Sequence, residues 1–393
     1  MKKDNEAKDA WKKRGEAEIS ALREALKRNP KDPAALMKLG AALLRTWSEP
    51  ERVQGRKYLE KAAKLNKDFP APVEELALDA SMDDHVRAVR LYKKAAEIYR
   101  RKGDGEKADK LLNRAATLIN DEGWEAREQG DDSAAKKKAL KALEVYPYCV
   151  DARNLLGNIY TDRFEFFEAE KVYCTAVDDA VREQGGVVKM QDAPYWLEMD
   201  TRPYMRARHG LGLSLMQLHR YEEALREFEI LMDLNPNDNQ GVRFLLGDVY
   251  HFTGNLEKAE QCYREYEDVE SRYGHALLQN FLGKEATASA MLIKCLKGAP
   301  FIARILRLYL EKFDFWKERG LFRYGDLPLF LLHRNAMTAA WNEMLPNVTD
   351  RQAYHDFESA YQYCALNATL WLKYEGSQLF LQKAMDAAKA RSR

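Results

Sequence analysis

Between Arg206 and Tyr266 the small and apolar residues recur with a shift of 35 positions. Gly212, Ala224 and Phe228 fall on Gly247, Ala259 and Tyr263, while Leu211 and Leu215 fall on Leu246 and Tyr250. Large residues spaced three to four apart mark one face of a helix. A Gly or Ala at a fixed place in that face marks where a second helix backbone comes close. Leu234-Asn235-Pro236-Asn237-Asp238-Asn239 separates the two copies. Pro236 cannot continue a helix, and Asn and Asp side chains cap the next one. Each copy is therefore predicted to be two antiparallel helices joined by a tight turn.

The same pattern extends in both directions. Residues 1–15 are charged and predicted to fray. Leu22, Ala25 and Leu26 read as the second helix of an incomplete pair, and Leu36, Leu39, Gly40 and Leu43 open a fuller one. Phe69-Pro70-Ala71-Pro72 predicts a kink or short linker, after which Tyr92 to Ala115 reads as one unit turning at Gly103-Asp104-Gly105. Trp124, Gly130, Ala135 and Ala142 suggest a unit with a shortened first helix. Leu156, Gly157, Tyr160, Ala169 and Tyr173 then form a regular one. Residues 16–181 are thus a first series of repeats. An inserted loop follows at 182–202, with Trp196 and Met199 expected to cover helix ends or to serve a function, and a second series spans 203–300. Beyond Pro300 the phase is lost. Phe301 to Trp316, Leu329 to Met344 and Ala353 to Ala387 read as helices, with a turn at Tyr324 to Pro328. They are too apolar to stand alone, so 301–393 is predicted to be a helical cap.

Two helices per 34 or so residues, with small and large positions in phase and a closing proline, resemble the tetratricopeptide repeat (TPR) family. The residues that carry the resemblance are Leu211, Gly212, Leu215, Ala224, Phe228 and Pro236 in one unit, and Leu246, Gly247, Tyr250, Gly254, Ala259 and Tyr263 in the next. Arg202 to Arg206 and Asn235 to Arg243 are also similar to a bacterial group of TPR proteins related to the suppressor-of-tumorigenicity seven family, a group with no settled activity. The resemblance implies an all-α, right-handed superhelical solenoid of about seven units with a helical C-terminal cap. First helices would line its concave side. Members of the family often grip a peptide carboxylate there with Lys, Asn and Arg. Asn154, Asn158, His209, Leu213, Phe244 and Asp248 occupy those turns here, and only Asn158 suits such a clamp.

Composition narrows the chemistry. Lys plus Arg number 63 against 62 Asp plus Glu, so the net charge of +1 supplies no global attraction to nucleic acid or an anionic membrane. No apolar run is long enough to span a bilayer, and Met1 to Trp11 is charged rather than signal-like. Five cysteines, Cys149, Cys174, Cys262, Cys295 and Cys364, lie far apart with no Cys-x-x-Cys pair. They read as buried free thiols, and a cytoplasmic protein is expected. Phosphate loops, paired zinc histidines and nucleophile elbows are absent from the sequence. No enzyme activity, cofactor, metal or small-molecule substrate is expected.

Recognition residues remain. Counting from the glycines places Arg206, His209, Leu213 and Met216 on the inner wall from one unit, Phe244, His251 and Phe252 from the next, and Tyr273, Leu277 and Phe281 from the third. Such an aromatic wall could hold a partner, could be covered by C-terminal helices bringing Trp316, Phe330, Trp341 and Trp371, or could be ordinary packing. Arg90, Lys93, Arg100 and Arg101, with Lys136 to Lys138, would make the N-terminal wall basic. The expected function is a non-enzymatic scaffold or adaptor for a protein or peptide partner of unknown identity. Two alternatives stay open: a nucleic-acid-binding solenoid using the basic wall, and an enzyme's regulatory subunit held through 182–202.

Overall fold

The computed structural model describes residues 2–46, 48–163, 165–183, 195–266, 271–318 and 351–391, and every regular element among them is a helix. The chain divides into two compact units, Met1–Leu155 and Leu156–Arg393.

In the first unit, α1 (Lys2–Arg28) packs on α2 (Pro33–Leu44), and α2 pairs with α3 (Glu49–Leu65). The pairs α4 (Ala71–Ala80) with α5 (His85–Arg101) and α6 (Gly105–Glu128) with α7 (Asp132–Val145) follow. The backbone of the stretch expected to fray is helical from Lys2 onward. An aspartate side chain caps four of these seven helices, α2, α5, α6 and α7. Asp32 accepts from the Ala34 and Ala35 amides at 2.9 and 3.3 Å, Asp84 from Arg87 at 2.9 Å, Asp104 from Lys107 at 3.1 Å and Asp131 from Ala134 at 2.8 Å. A cap of this kind contributes about 1 kcal/mol.

Phe69 and Pro70 close the short connection between α3 and α4, and Pro72 lies in the first turn of α4, where the missing N–H would have had no intrahelical partner. Two expectations for this unit are corrected. Since α4 also touches α2, both are first helices, which makes α5 a second helix and α6 the first helix of the next pair. Tyr92 to Ala115 therefore straddles two pairs, and α6, at 24 residues, is long rather than shortened. The pairs are bolted across as well as along. Asp79 of α4 takes Arg52 Nη2 at 2.9 Å and Arg56 Nε at 2.6 Å, both from α3. Burial pushes this carboxyl up, but the two guanidinium hydrogen bonds outweigh burial and hold it below its ordinary value.

In the second unit the repeats keep the expected register. Helix α8 (Val150–Asp162) begins in the first unit and ends here, followed by α9 (Phe166–Glu183), α10 (Arg202–Gln217) with α11 (Tyr221–Leu234), α12 (Arg243–Thr253) with α13 (Leu256–Glu265), and α14 (Ser271–Phe281) with α15 (Glu285–Gly298). In three of these pairs an aromatic ring of the second helix, α9, α11 or α13, lies on a glycine of the first. Phe228 covers Gly212, and Tyr263 lies where a Gly247 Cβ would come within 2.7 Å of its ring. Tyr173 sits likewise between Gly157 and Gly210. Glycine is needed because the ring fills the space that any side chain would take.

Helix α16 (Pro300–Glu318) follows, then α17 (Arg351–Lys373) and α18 (Ser377–Arg391). The expected single helical region 353–387 is two helices, broken around Gly376, whose φ of +82° favours glycine. The turn expected at Tyr324 to Pro328 and the helix at Leu329 to Met344 lie outside the described residues, as does much of the 182–202 loop.

Candidate partner-binding face

Helix α17 lies against the first helices α10, α12 and α14, and against α16. It covers much of the wall that the sequence singles out. Trp371 and Phe357 are completely buried in a cluster that also holds Phe252, Tyr273, Leu277, Ile302, Leu306 and Tyr309. Tyr363 approaches Tyr273 with ring centres 6.5 Å apart. The Cys364 thiol donates to the Ile302 carbonyl at 3.6 Å. Of the other rings proposed to cover the wall, Phe330 and Trp341 lie outside the described residues, as does the side chain of Trp316.

The last turn of α17 is fastened most tightly. Lys373 Nζ donates to the Phe252 carbonyl at 2.8 Å. That carbonyl is one of the final four of α12, which have no amide partner within the helix, so the cation satisfies it and faces the negative end of the helix dipole. The Tyr221 hydroxyl lies 3.0 Å from Thr369 Oγ1 and 2.6 Å from His219 Nδ1, and its ring stacks on Phe252 at 3.9 Å. Tyr374 just beyond α17 reaches His251 at 5.3 Å and Phe281 at 4.4 Å between ring centres.

Behind this contact runs a buried polar chain. Tyr263 donates to Asp248 Oδ1 at 2.6 Å, and its oxygen lies 3.3 Å from His251 Nδ1. The His275 ring stacks on Tyr263, and Gln279 bridges His275 and Glu260 at 3.2 Å each. Burial, with Lys373 and His275 as neighbours, pushes the His251 ring down to about 3, so it is neutral at ordinary pH.

The ten predicted wall residues thus separate into two groups. Met216, His251, Phe252, Tyr273 and Leu277 are buried. Arg206 is exposed, His209 and Leu213 are half-buried, and Phe244 and Phe281 keep 45% and 52% of their surface. Arg206, His209 and Leu213 lie along α10, and Phe244 opens α12 with the Arg243 guanidinium 5.4 Å from its ring. Burial lowers the His209 pKa despite the nearby Asp238 carboxylate. The start of α12 is rigid: Asp238 accepts from the Val242 and Arg243 amides at 2.8 and 2.9 Å, and Gln240 ties the turn to the Met205 carbonyl at 3.1 Å.

Sequence reading did not find Tyr221, Thr369, Lys373 or Tyr374, because none recurs with the repeat. The basic residues proposed for an N-terminal wall are placed differently too. Arg90, Lys93, Arg100 and Arg101 are exposed but sit on α5, a second helix, where Arg100 pairs with Asp109 at 2.6 Å and Arg101 with Asp68 at 3.6 Å. Lys138 pairs with Glu122. Among the described residues no His, Cys, Asp or Glu cluster could hold a metal ion, and no helix is long and apolar enough to cross a membrane.

Comparison with known proteins agrees with the helix-pair architecture. The tetratricopeptide-repeat family model matches residues 6–48 and 209–273. No curated protein matches. Among solved structures the chain is similar to the P58(IPK) TPR domain, with 17% identity over 88% of this chain and 92% of that one and a TM-score of 0.29. It is similar to the Cut9-Hcn1 hetero-tetramer of the APC/C at 15% identity, 72% and 46% coverage and a TM-score of 0.32. A tetratricopeptide repeat protein from Parabacteroides merdae matches at 18% identity, 76% and 100% coverage and a TM-score of 0.35. None of these three likenesses places a ligand or a partner. The two matched segments resemble the tetratricopeptide-repeat family, and the stacked helix pairs are the architecture that this resemblance implies.

Proposed function

We propose that the protein is a non-enzymatic scaffold whose second unit holds a partner's peptide or helix on the strip formed by Arg206, His209, Leu213 and Phe244. One observation carries this reading: α17 packs against the first helices α10, α12 and α14, while Phe244 stays 45% exposed in the first turn of α12, next to amides held by Asp238. An aromatic side chain fixed in water loses little entropy on binding and buries a large area, which is how a few residues come to dominate an interface. The similarity of Arg202 to Arg206 and Asn235 to Arg243 to the bacterial group related to the suppressor-of-tumorigenicity seven family falls on this strip, and we include that relationship in the proposal. Free thiols at all five cysteines support a reducing, cytoplasmic setting.

The test is a paired measurement on a partner captured from the native cell. Phe244→Ala should weaken that partner's binding by about 1–3 kcal/mol with the unfolding midpoint almost unmoved. Unaltered binding in both Phe244→Ala and Arg206→Ala, with the fold intact, would remove the strip from consideration.

A further inference from the structure

The tip where α4 turns into α5 in the first unit carries a feature that packing does not explain. Leu78 in the last full turn of α4 is 51% exposed, Met82 in the connecting turn 79%, and Val86 at the second position of α5 80%. Their opposite faces are well packed: Val73, Ala77, Ala80, Ala88 and Tyr92 are buried in the same pair of helices. Three large apolar side chains within nine residues expose on the order of a few hundred Å², the size at which an apolar patch on a folded protein usually meets something.

The charge around the ridge says what it meets. From Glu74 to Val86 the chain reads Glu-Glu-Leu-Ala-Leu-Asp-Ala-Ser-Met-Asp-Asp-His-Val, five carboxylates with no Lys or Arg. Asp79 is consumed by Arg52 and Arg56, Glu74 by Lys107 at 3.3 Å and the Tyr99 hydroxyl at 2.9 Å, and Glu75 faces Arg45 at 3.8 Å. Asp84 caps α5 and remains exposed to solvent. Asp83, beside Met82, is exposed with no ion-pair partner among the described residues.

We infer that this ridge is a docking surface for a basic amphipathic helix of a partner protein, separate from the strip on the second unit. Leu78, Met82 and Val86 would take the apolar stripe of that helix, and Asp83 and Asp84 the Lys or Arg residues beside it. Apolar residues of an amphipathic helix recur at three- and four-residue intervals and form one continuous stripe, the surface that would meet Leu78, Met82 and Val86. With Arg87 paired to Glu60, Asp83 and Asp84 are the exposed charges at this tip, and they favour a cationic partner over an anionic bilayer or a nucleic-acid backbone.

The full chain can be tested with a labelled synthetic amphipathic helix of leucine and lysine, about 18 residues long, alongside the same helix with glutamate for lysine. The leucine–lysine helix should bind one to one and more weakly as salt rises. The double variant Met82→Asp, Val86→Asp should lose about tenfold or more in affinity. Both sites are exposed, so helix content and unfolding midpoint should stay at the wild-type values, and Phe244→Ala should bind the probe normally. Asp83→Lys should lower affinity several-fold without touching the apolar ridge. Equal affinity in wild type and the double variant would overturn the proposal, as would equal binding of the glutamate helix. Self-association of the unliganded chain that Met82→Asp abolishes would overturn it too, by assigning the ridge to a second copy.

Discussion

The two units use their first helices in opposite ways. In the second, the inner faces of α10, α12 and α14 are largely roofed by a helix from the same chain, and the rings that would have offered a wall become a core around Phe252, Tyr273 and Trp371. In the first, α4 and the turn after it leave Leu78 and Met82 in water, and the buried Asp79 is compensated by two arginines from α3. A repeat sequence therefore does not by itself say whether a first-helix face binds or is filled. What decides it is whether a later, non-repeating segment of the same chain has complementary residues, here Thr369, Lys373 and Tyr374.

The largest effect expected from this difference follows from removing the roof. A chain ending at Ala299 should expose the cluster built from α14, α16 and α17 and lose a cooperative second unit, seen as aggregation and a lost high-temperature transition. The first unit, which carries its own core, should keep its helices. A truncated protein as soluble and as stable as the full chain would show that α17 is an ornament on a self-sufficient stack.

Next comes the pair Phe252 and Phe244, which the repeat places in one helix and the structure in opposite environments. Phe252→Ala removes a ring stacked on Tyr221 inside a packed cluster and should cost about 3–5 kcal/mol. Phe244→Ala removes a ring nearly half in water and should change stability by no more than about 0.5 kcal/mol. Denaturant unfolding of both variants checks this, and similar losses in the two would mean that α17 does not fill the groove in solution.

These particulars show what was legible from residues alone. The contact of Phe228 with Gly212 and of Tyr263 with Gly247 is local, repeats with a fixed shift and leaves a sharp trace, because only glycine fits under a ring. The roof leaves none. Lys373 meets Phe252 across 121 residues, and no periodic position announces it. The shift of one helix in the first unit has a simpler cause: two prolines at 70 and 72 suggest a break in the chain, yet the first turn of a helix tolerates proline, and α4 starts there. The split of the wall into open and closed residues was out of reach for the same reason as the roof, since burial of Tyr273 or Leu277 depends on α17 and not on their own helix.

A smaller change probes the register that both units share. Ala224 is fully buried on α11, a helix whose Phe228 lies over Gly212 of α10. Ala224→Leu forces three more carbons into that contact and should cost about 1–3 kcal/mol. An unchanged midpoint and slope would place the α10 and α11 contact elsewhere. Ala135 is equally buried on α7, and its carbonyl lies 3.3 Å from where a Gly123 Cβ would stand, so Ala135→Leu should destabilise the first unit in the same manner.

The most graded difference between the units appears in acid. His251 is buried as a neutral ring between Tyr263 and the Lys373 ammonium, with its pKa pushed from 6.5 down to about 3 by burial first and by Lys373 and His275 after it. Folded, it binds fewer protons than unfolded across that interval, so the stability it supports is complete above about pH 6.5 and drains away as pH falls towards 3. Asp79 in the first unit acts lower on the scale. Its folded pKa lies below the ordinary 3.8, so its contribution is present above that value and is lost only as pH falls below it. Hydrogen exchange followed from neutral to acid pH should therefore show the amides of α12 and α17 losing protection before those of α3 and α4. His251→Gln should flatten the early loss and leave the later one in place. If the variant keeps the full slope between pH 6.5 and 4, the His251 ring is not what ties the roof to neutral pH, and the acid sensitivity of the second unit must come from its other groups, first among them His209 and His219, whose pKa values burial also lowers.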